Sequence, residues 1–377
     1  MSALSKASLL DELFSNLDQV EDKKSSTHGI HPYPAKFIPQ IPRNAILALS
    51  EPGDTVLDPM CGSGTTLVEA LLNQRKAIGV DINPISTMIS TSKTSRLSPE
   101  DEKILLVLRS QILGMTGFNT SSFTLPHFPN REHWFSEEVT YALAEIRQAI
   151  LAVPDGPAKN VALSAFSAII VGVSMQESET RWARKENKIA YSDVKKRFLK
   201  RLDHHIEQSI QFSGKSGGTA NVILSDARDL PLRNESVDLV VTSPPYANSH
   251  DYYLYHKLRM FWLDHDVYPV QNNEIGSRNK HSDRKQSFST YMDDMEKVMI
   301  ECQRVLKSGS HACVVVGDSI IRGEFFDVGV HFADMGSRLG LSLSGKWDFD
   351  QRRYTRAFMS SFGGKQPKRT HVLVFTK

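Results

Sequence analysis

Residues 56–66 read Val56-Leu57-Asp58-Pro59-Met60-Cys61-Gly62-Ser63-Gly64-Thr65-Thr66: an apolar run, a glycine turn, then the opening of a helix-forming segment. Gly62 and Gly64 let the backbone turn tightly and pass close to a ligand. The helix that follows begins with unpaired N–H groups and the positive end of its dipole, a setting that suits a ligand carboxylate. The stretch lacks the Gly-Lys-Ser/Thr end of a phosphate loop, and its spacing is not Gly-x-Gly-x-x-Gly. Taken alone, it also fits a plain strand-to-helix turn.

Around this stretch, β-rich runs recur at Thr55–Leu57, Ala77–Val80, Asn221–Leu224, Val237–Val241, Ala312–Gly317, Leu341–Trp347 and His371–Thr376. Most are continuously apolar, as strands covered on both faces of a parallel sheet must be. Helical patterns sit between several of them, over Thr65–Asn73 and over Tyr291–Leu306. The second is followed by Lys307-Ser308-Gly309, which reads as a helix stop. Alternating strands and helices predict an α/β fold with a doubly wound, mostly parallel, seven-stranded sheet.

Residues 95–217 interrupt the alternation with almost no strand signal. Glu132–Val153 carries apolar residues at helical spacing and stops at Pro154-Asp155-Gly156-Pro157. Ala158–Met175 reads as a buried helix. Ser192–Phe212 places Val194, Phe198, Leu202, Ile206 and Ile210 on one stripe, with Ser192 as N-cap. The linker Ser213-Gly214-Lys215-Ser216-Gly217-Gly218 returns the chain to the sheet. The expected organisation is therefore residues 1–94 and 218–377 as one unit, with 95–217 as a helical insertion.

The bulk numbers exclude several classes. The 377 residues are 40% hydrophobic and 23% charged, with a net charge of +2, as in ordinary globular chains. No apolar run reaches the roughly 18 residues of a membrane span. Met1–Val20 lacks the apolar stretch of a signal peptide. Cys61, Cys302 and Cys313 form neither a disulfide framework nor a metal-ligand spacing, so a reducing, cytoplasmic setting without metal is expected. None follows a proline, which speaks against a covalent cysteine attack on a pyrimidine ring.

Three further points carry chemistry. Asp81 ends the second strand about 20 positions after the glycine turn, where a carboxylate reaches ribose hydroxyls. Asp226 stands just beyond the third, placed to accept from an adenine amine. After the fourth comes Thr242-Ser243-Pro244-Pro245-Tyr246. Neither proline has an N–H to donate, so this rigid turn presents carbonyl acceptors beside a hydroxyl and an aromatic ring. Such a group can hold an exocyclic amine by its two hydrogens while Tyr246 stacks on the ring that carries it.

Taken together, these residues resemble the S-adenosylmethionine-dependent DNA amino-methyltransferases, which modify cytosine N4 or adenine N6. The resemblance rests on Asp58-Pro59-Met60-Cys61-Gly62-Ser63-Gly64-Thr65, where the family pattern is Asp-Pro-Phe-x-Gly-Ser-Gly-Thr, and on Asp81, Asp226 and Ser243-Pro244-Pro245-Tyr246. The block His31-Pro32-Tyr33-Pro34-Ala35-Lys36-Phe37 also looks like the family's motif that closes over the methionine end of the cofactor. The resemblance covers about 250 residues and excludes the insertion. It departs from the pattern at Met60, and the insertion lies between the second and third strands rather than after the third.

The resemblance implies S-adenosylmethionine as cofactor, held by Lys36, Phe37, Asp58, Met60, Gly62, Ser63, Gly64, Thr65, Asp81 and Asp226. Ser243, Pro244, Pro245 and Tyr246 become the catalytic residues, and serine at the first position leans towards cytosine N4. Double-stranded DNA is the implied substrate, in a restriction-modification or host-defence setting with a cognate restriction endonuclease. Adenine N6 and an RNA base are the alternatives. Phosphate contacts would come from basic clusters. Arg181–Arg201 holds nine Lys/Arg, among them Arg184 and Lys185. Gln351–Arg369 holds Arg352, Arg353, Arg356, Lys365, Lys368 and Arg369 with no acidic residue, interleaved with Tyr354, Phe358 and Phe362, as a hairpin loop beside the catalytic mouth.

Overall fold

The computed structural model describes residues 6–15, 26–117, 125–282, 286–350 and 369–377. Seven strands form the central sheet: β1 (Thr55–Asp58), β2 (Lys76–Asp81), β3 (Ala220–Leu224), β4 (Val237–Thr242), β5 (Leu306–Gly317), β6 (Ser342–Asp350) and β7 (Arg369–Thr376). Their order across the sheet is β6-β7-β5-β4-β1-β2-β3. The pairs from β3 to β5 are parallel, while β7 runs antiparallel between β5 and β6. Every strand expected from the sequence is present, and the α/β class is as predicted.

Apolar runs explain this arrangement. Leu239, Val241, Cys313, Val315, Val372 and Val374 face one side with the helices Gln40–Leu49 and Thr65–Leu72. Val240, Ala312, Val314, Leu373 and Phe375 face the other, against Phe288–Val305 and Val328–Arg338. Burying one such side chain contributes roughly 1.5–3 kcal/mol, so two covered faces fix the strand order against slippage. The chain order leaves a switch point between β1 and β4, where open α/β sheets bind ligands beyond the carboxyl ends of their strands.

The stretch between β2 and β3 builds its own apolar core from Leu105, Leu143, Phe166, Phe198 and Leu202. Leu258 and Trp262, on the helix Tyr252–Trp262, complete it. Arg259 of that helix is fully buried and donates to Glu179 at 2.6 Å and to the Ser167 carbonyl at 3.0 Å, tying the two parts together.

The structure corrects several local expectations. Gln176–Ser178 and Arg181–Arg184 pair as a short antiparallel hairpin, although no strand was expected there. The helix expected over Glu132–Val153 is two, Arg131–Trp134 and Glu137–Leu151, because Ser136 caps the second by accepting from Val139 N. The helix expected over Ser192–Phe212 runs Tyr191–Ser213, so Ser192 is not its cap; Asp193 instead accepts from Ala190 N at 3.4 Å. Gly309 is no helix stop: the helix ends at Val305, and Gly309, at φ +76°, lies within β5. An unpredicted helix, Pro99–Gly114, starts at a reciprocal cap between Ser98 and Asp101.

Candidate active site

Four strand ends converge on one cleft containing about 910 Å³ of open space. Asp58 closes β1, Asp81 closes β2, Asp226 lies two residues past β3, and Ser243 directly follows β4. All four line the cleft, with Lys36, Phe37, Met60, Gly62, Ser63, Thr65 and Pro245. Sequence positions from 36 to 245 thus meet in a single cavity.

The glycine turn is built for close approach. Gly62 (φ +49°) has no side chain because a Cβ there would meet the Tyr33 hydroxyl at 3.2 Å. Its N–H donates to Asp81 Oδ2 at 2.8 Å, and Asn83 N donates to Asp81 Oδ1 at 2.8 Å. Gly64 (φ +76°) serves packing instead, since a Cβ there would lie 2.8 Å from Ser90 Oγ. Gly64 is therefore not among the lining residues. Asn83 Oδ1 and Pro84 then start the helix Pro84–Thr94, with Ile85 N donating at 2.9 Å.

Electrostatics follow burial. Burial pushes Asp58 up to about 6, opposed by hydrogen bonds that include Met60 N. Burial likewise pushes Asp81 up to about 6 against its two backbone donors. Asp226 is held below the ordinary carboxylate value although burial opposes this, because Arg228 binds both its oxygens, at 2.9 and 2.6 Å. Arg228 in turn reaches Asp294 at 2.8 Å. The three thiols are buried and pushed up by desolvation, Cys302 and Cys313 to about 12.

Some expected residues stand elsewhere. Pro244 and Tyr246 do not line the cleft. The Tyr246 ring is half-buried beside it, with its hydroxyl near the Ser243 and Thr370 side chains. Lys36 lines the cleft, but its ammonium donates to the carbonyls of His28 (3.0 Å) and His31 (2.8 Å). Arg184 is engaged with the His133 carbonyl and Met175 Sδ, and Lys185 N with the Met175 carbonyl. Arg352, Arg353, Arg356 and Lys365 lie outside the described residues.

Other lining residues are Tyr33, from the N-terminal block, and Glu274, which carried little signal. Tyr33 stacks on Tyr252 with ring centres 5.8 Å apart and bonds Ser86 at 3.0 Å, closing the N-terminal block over the glycine turn. Glu274 is buried and accepts from Tyr252 N (2.7 Å) and Tyr253 N (3.3 Å). Its desolvation outweighs these donors and pushes the carboxyl up to about 8. A lone glutamate after the short helix Tyr268–Asn273 carries no motif, so only the fold shows it.

The residues fit the implied cofactor. Asn83 lines the cleft with its side-chain amide buried and without a protein partner, a donor left for a ligand. Asp81 keeps acceptor capacity beyond its two backbone bonds, as ribose hydroxyls need.

Comparison with known proteins gives the same direction. The model of a DNA methylase family, of the N6/N4 type, matches residues 6–91 and 237–366. The type II methyltransferase M.MvaI of Kocuria varians is 27% identical over 355 residues, 79% of this chain and 78% of that protein. The type II methyltransferase M.BsoBI of Geobacillus stearothermophilus is 25% identical over 298 residues, 65% of this chain and 54% of that protein. Among solved structures, an S-adenosylmethionine-dependent methyltransferase of Methanosarcina mazei superposes with a TM-score of 0.36 at 9% identity, covering 92% of this chain and 98% of that one.

Proposed function

The chain belongs to the N6/N4 DNA methylase family, and from that premise we propose that it methylates N4 of a cytosine flipped out of double-stranded DNA. The observation that carries this reading is that Ser243 and the Gly62 turn line one cleft. S-adenosylmethionine supplies an electrophilic methyl group there. Asp81 binds its ribose hydroxyls, and Asp226, kept ionised by Arg228, accepts from its adenine amine.

An exocyclic amine is a poor nucleophile because its lone pair is delocalised into the ring. Ser243 Oγ and the carbonyl of Pro244, which sits between the cleft-lining Ser243 and Pro245, accept its two hydrogens, which localises the lone pair on nitrogen. Alkylation makes that nitrogen cationic and acidic, so proton loss needs no strong base. Positioning and electrostatics then supply most of the rate. The base must leave the duplex to be reached. The Tyr246 ring beside Ser243 offers it a stacking surface, roughly 1–3 kcal/mol per base.

Serine at the first motif position favours cytosine over adenine by resemblance alone, since the family's adenine enzymes more often carry Asp or Asn there; a neutral hydroxyl that accepts from the amine and donates to a ring nitrogen suits either base. We further propose that residues 95–217 form the target-recognition part and residues 1–94 with 218–377 the catalytic part. Its likeness to type II methyltransferases supports a cytoplasmic restriction-modification role beside a cognate endonuclease. Nucleoside mass analysis of DNA treated with protein and cofactor tests the reading. 4-Methylcytosine is the expected product; 6-methyladenine alone assigns the enzyme to adenine, and methylation of RNA alone removes DNA as substrate.

A further inference from the structure

His371 is 1% exposed, yet both ring nitrogens face carboxylates. Nδ1 lies 2.7 Å from Asp348 Oδ1, and Nε2 lies 2.8 Å from Asp318 Oδ1. A ring flanked in this way donates from both nitrogens, so it carries two protons. The other charged groups facing it are Asp327, 3.7 Å from Nε2, and Arg369, whose guanidinium is 3.7 Å from Asp348. Burial alone lowers the imidazolium's pKa, but the bonds to Asp318 and Asp348 outweigh it and raise the pKa above the ordinary histidine value. The helix Val328–Arg338 rests on the ring through Gly329, where a Cβ would fall 2.6 Å from Cγ.

The three clamped residues come from the ends of three strands. Asp318 follows β5, His371 lies near the start of β7, and Asp348 is its cross-strand partner on β6. Asp318 N also donates to the Arg369 carbonyl, and Asp318 Oδ2 accepts from Arg369 N, both at 2.9 Å. Two short routes lead from this clamp to the motif after β4. One is Thr370, next to His371, whose side chain lies near the Tyr246 hydroxyl. The other is Ser319, next to Asp318, whose hydroxyl donates to the Ala247 carbonyl at 3.1 Å, with Asn248 Nδ2 donating to Ile320 O at 3.0 Å.

We propose that His371, gripped by Asp318 and Asp348, is a positioning residue that holds Tyr246–Asn248 against the cleft through Thr370 and Ser319. The proposal rests on the reading of Ser243–Tyr246 as the catalytic motif. The doubly protonated ring keeps β5, β6 and β7 in register at the motif. Loss of one proton turns a donor into an acceptor facing a carboxylate, and the grip loosens.

The test uses the full chain, His371→Gln and Asp348→Asn. Nitrogen-15 NMR reads the protonation of the ring at about pH 7. Single-turnover methyl transfer from tritiated S-adenosylmethionine into plasmid DNA from a methylation-deficient host reads the rate, and cofactor titration reads affinity. In the wild type both ring nitrogens are protonated, and the rate falls as pH rises through the pKa that NMR gives. Asp348→Asn moves that fall to lower pH. His371→Gln abolishes it and lowers turnover about tenfold while cofactor affinity stays within about twofold. A neutral ring overturns the proposal, as does stabilisation by added zinc, which would make Asp318, Asp327 and His371 a metal site. Wild-type turnover in folded His371→Gln overturns it too, as does a loss of affinity that matches the loss of rate. If His371→Gln does not fold, the shift in Asp348→Asn decides. Failure of every form to methylate any nucleic acid defeats the catalytic reading instead, and NMR still reports on the clamp.

Discussion

The backbone N–H of Gly62 donates to Oδ2 of Asp81 at 2.8 Å, so the glycine turn and the tip of β2 form one unit. Removing the carboxylate frees that N–H and takes away the ribose acceptor. Asp81→Ala should weaken cofactor binding by about 1.5–3 kcal/mol, roughly ten- to a hundredfold in Kd, and leave DNA affinity intact. Because burial raises Asp81 to about 6, wild-type cofactor affinity should also fall as pH drops below about 6, when the carboxylate takes up its proton. Titration calorimetry across pH checks both, and an Asp81→Ala protein with normal affinity refutes the ribose role.

Ser243 adjoins the cofactor turn within the same cleft. Ser243→Ala removes one of two acceptors that act on the amine as it attacks. Turnover should fall about a hundredfold or more, as when a single electrostatic group is deleted, with cofactor affinity unchanged. Rapid-quench single-turnover assays measure this. Unchanged turnover would remove Ser243 from the mechanism.

The two glycines of the turn should fail differently. Gly62→Ala meets the Tyr33 hydroxyl at the edge of the cleft, so its main effect should be weaker cofactor binding. Gly64→Ala runs into Ser90 Oγ and Cα, at 2.8 and 3.0 Å, so it should destabilise the fold by about 1–3 kcal/mol. Denaturant melts and cofactor titrations of both proteins separate the effects, and reversed outcomes would reverse the assignment.

Glu274 gives the stability curve a sign. Its carboxyl is raised from 4.5 to about 8 by burial, so the folded state binds its proton more tightly than the unfolded chain. The resulting stabilisation is fully present below about pH 4.5 and is lost as pH rises through about 8. Glu274→Gln is neutral throughout and should flatten the fall of melting temperature between about pH 5 and 8. Parallel curves for the two proteins would contradict the raised carboxyl.

What the sequence made legible follows a physical line. The central strands were readable because both their faces are covered, which leaves unbroken apolar runs such as Ala312–Val316. Asp58, Asp81, Asp226 and Ser243 were readable because each stands where a strand ends. Tyr33 was reached only through the resemblance of the block His31–Phe37, and Asn83 and Glu274 were not readable, since their place in the cleft depends on long-range packing that no local spacing encodes. The hairpin Gln176–Arg184 was hidden by its charged, short strands. The helix Pro99–Gly114 carries a local start signal in Ser98-Pro99-Glu100-Asp101, a cap pattern. His371 looked like one more strand residue, and only its two carboxylate neighbours set it apart.

A crystal structure of the protein with a non-transferable cofactor analogue and duplex DNA carrying its modified site tests the central claim most directly, through one distance. The account predicts a flipped cytosine with N4 bonded to Ser243 and about 3–3.5 Å from the atom that stands in for the methyl carbon, in line with its leaving bond. A cytosine left stacked in the duplex, or an amine held by other residues beyond reach of that atom, would contradict it.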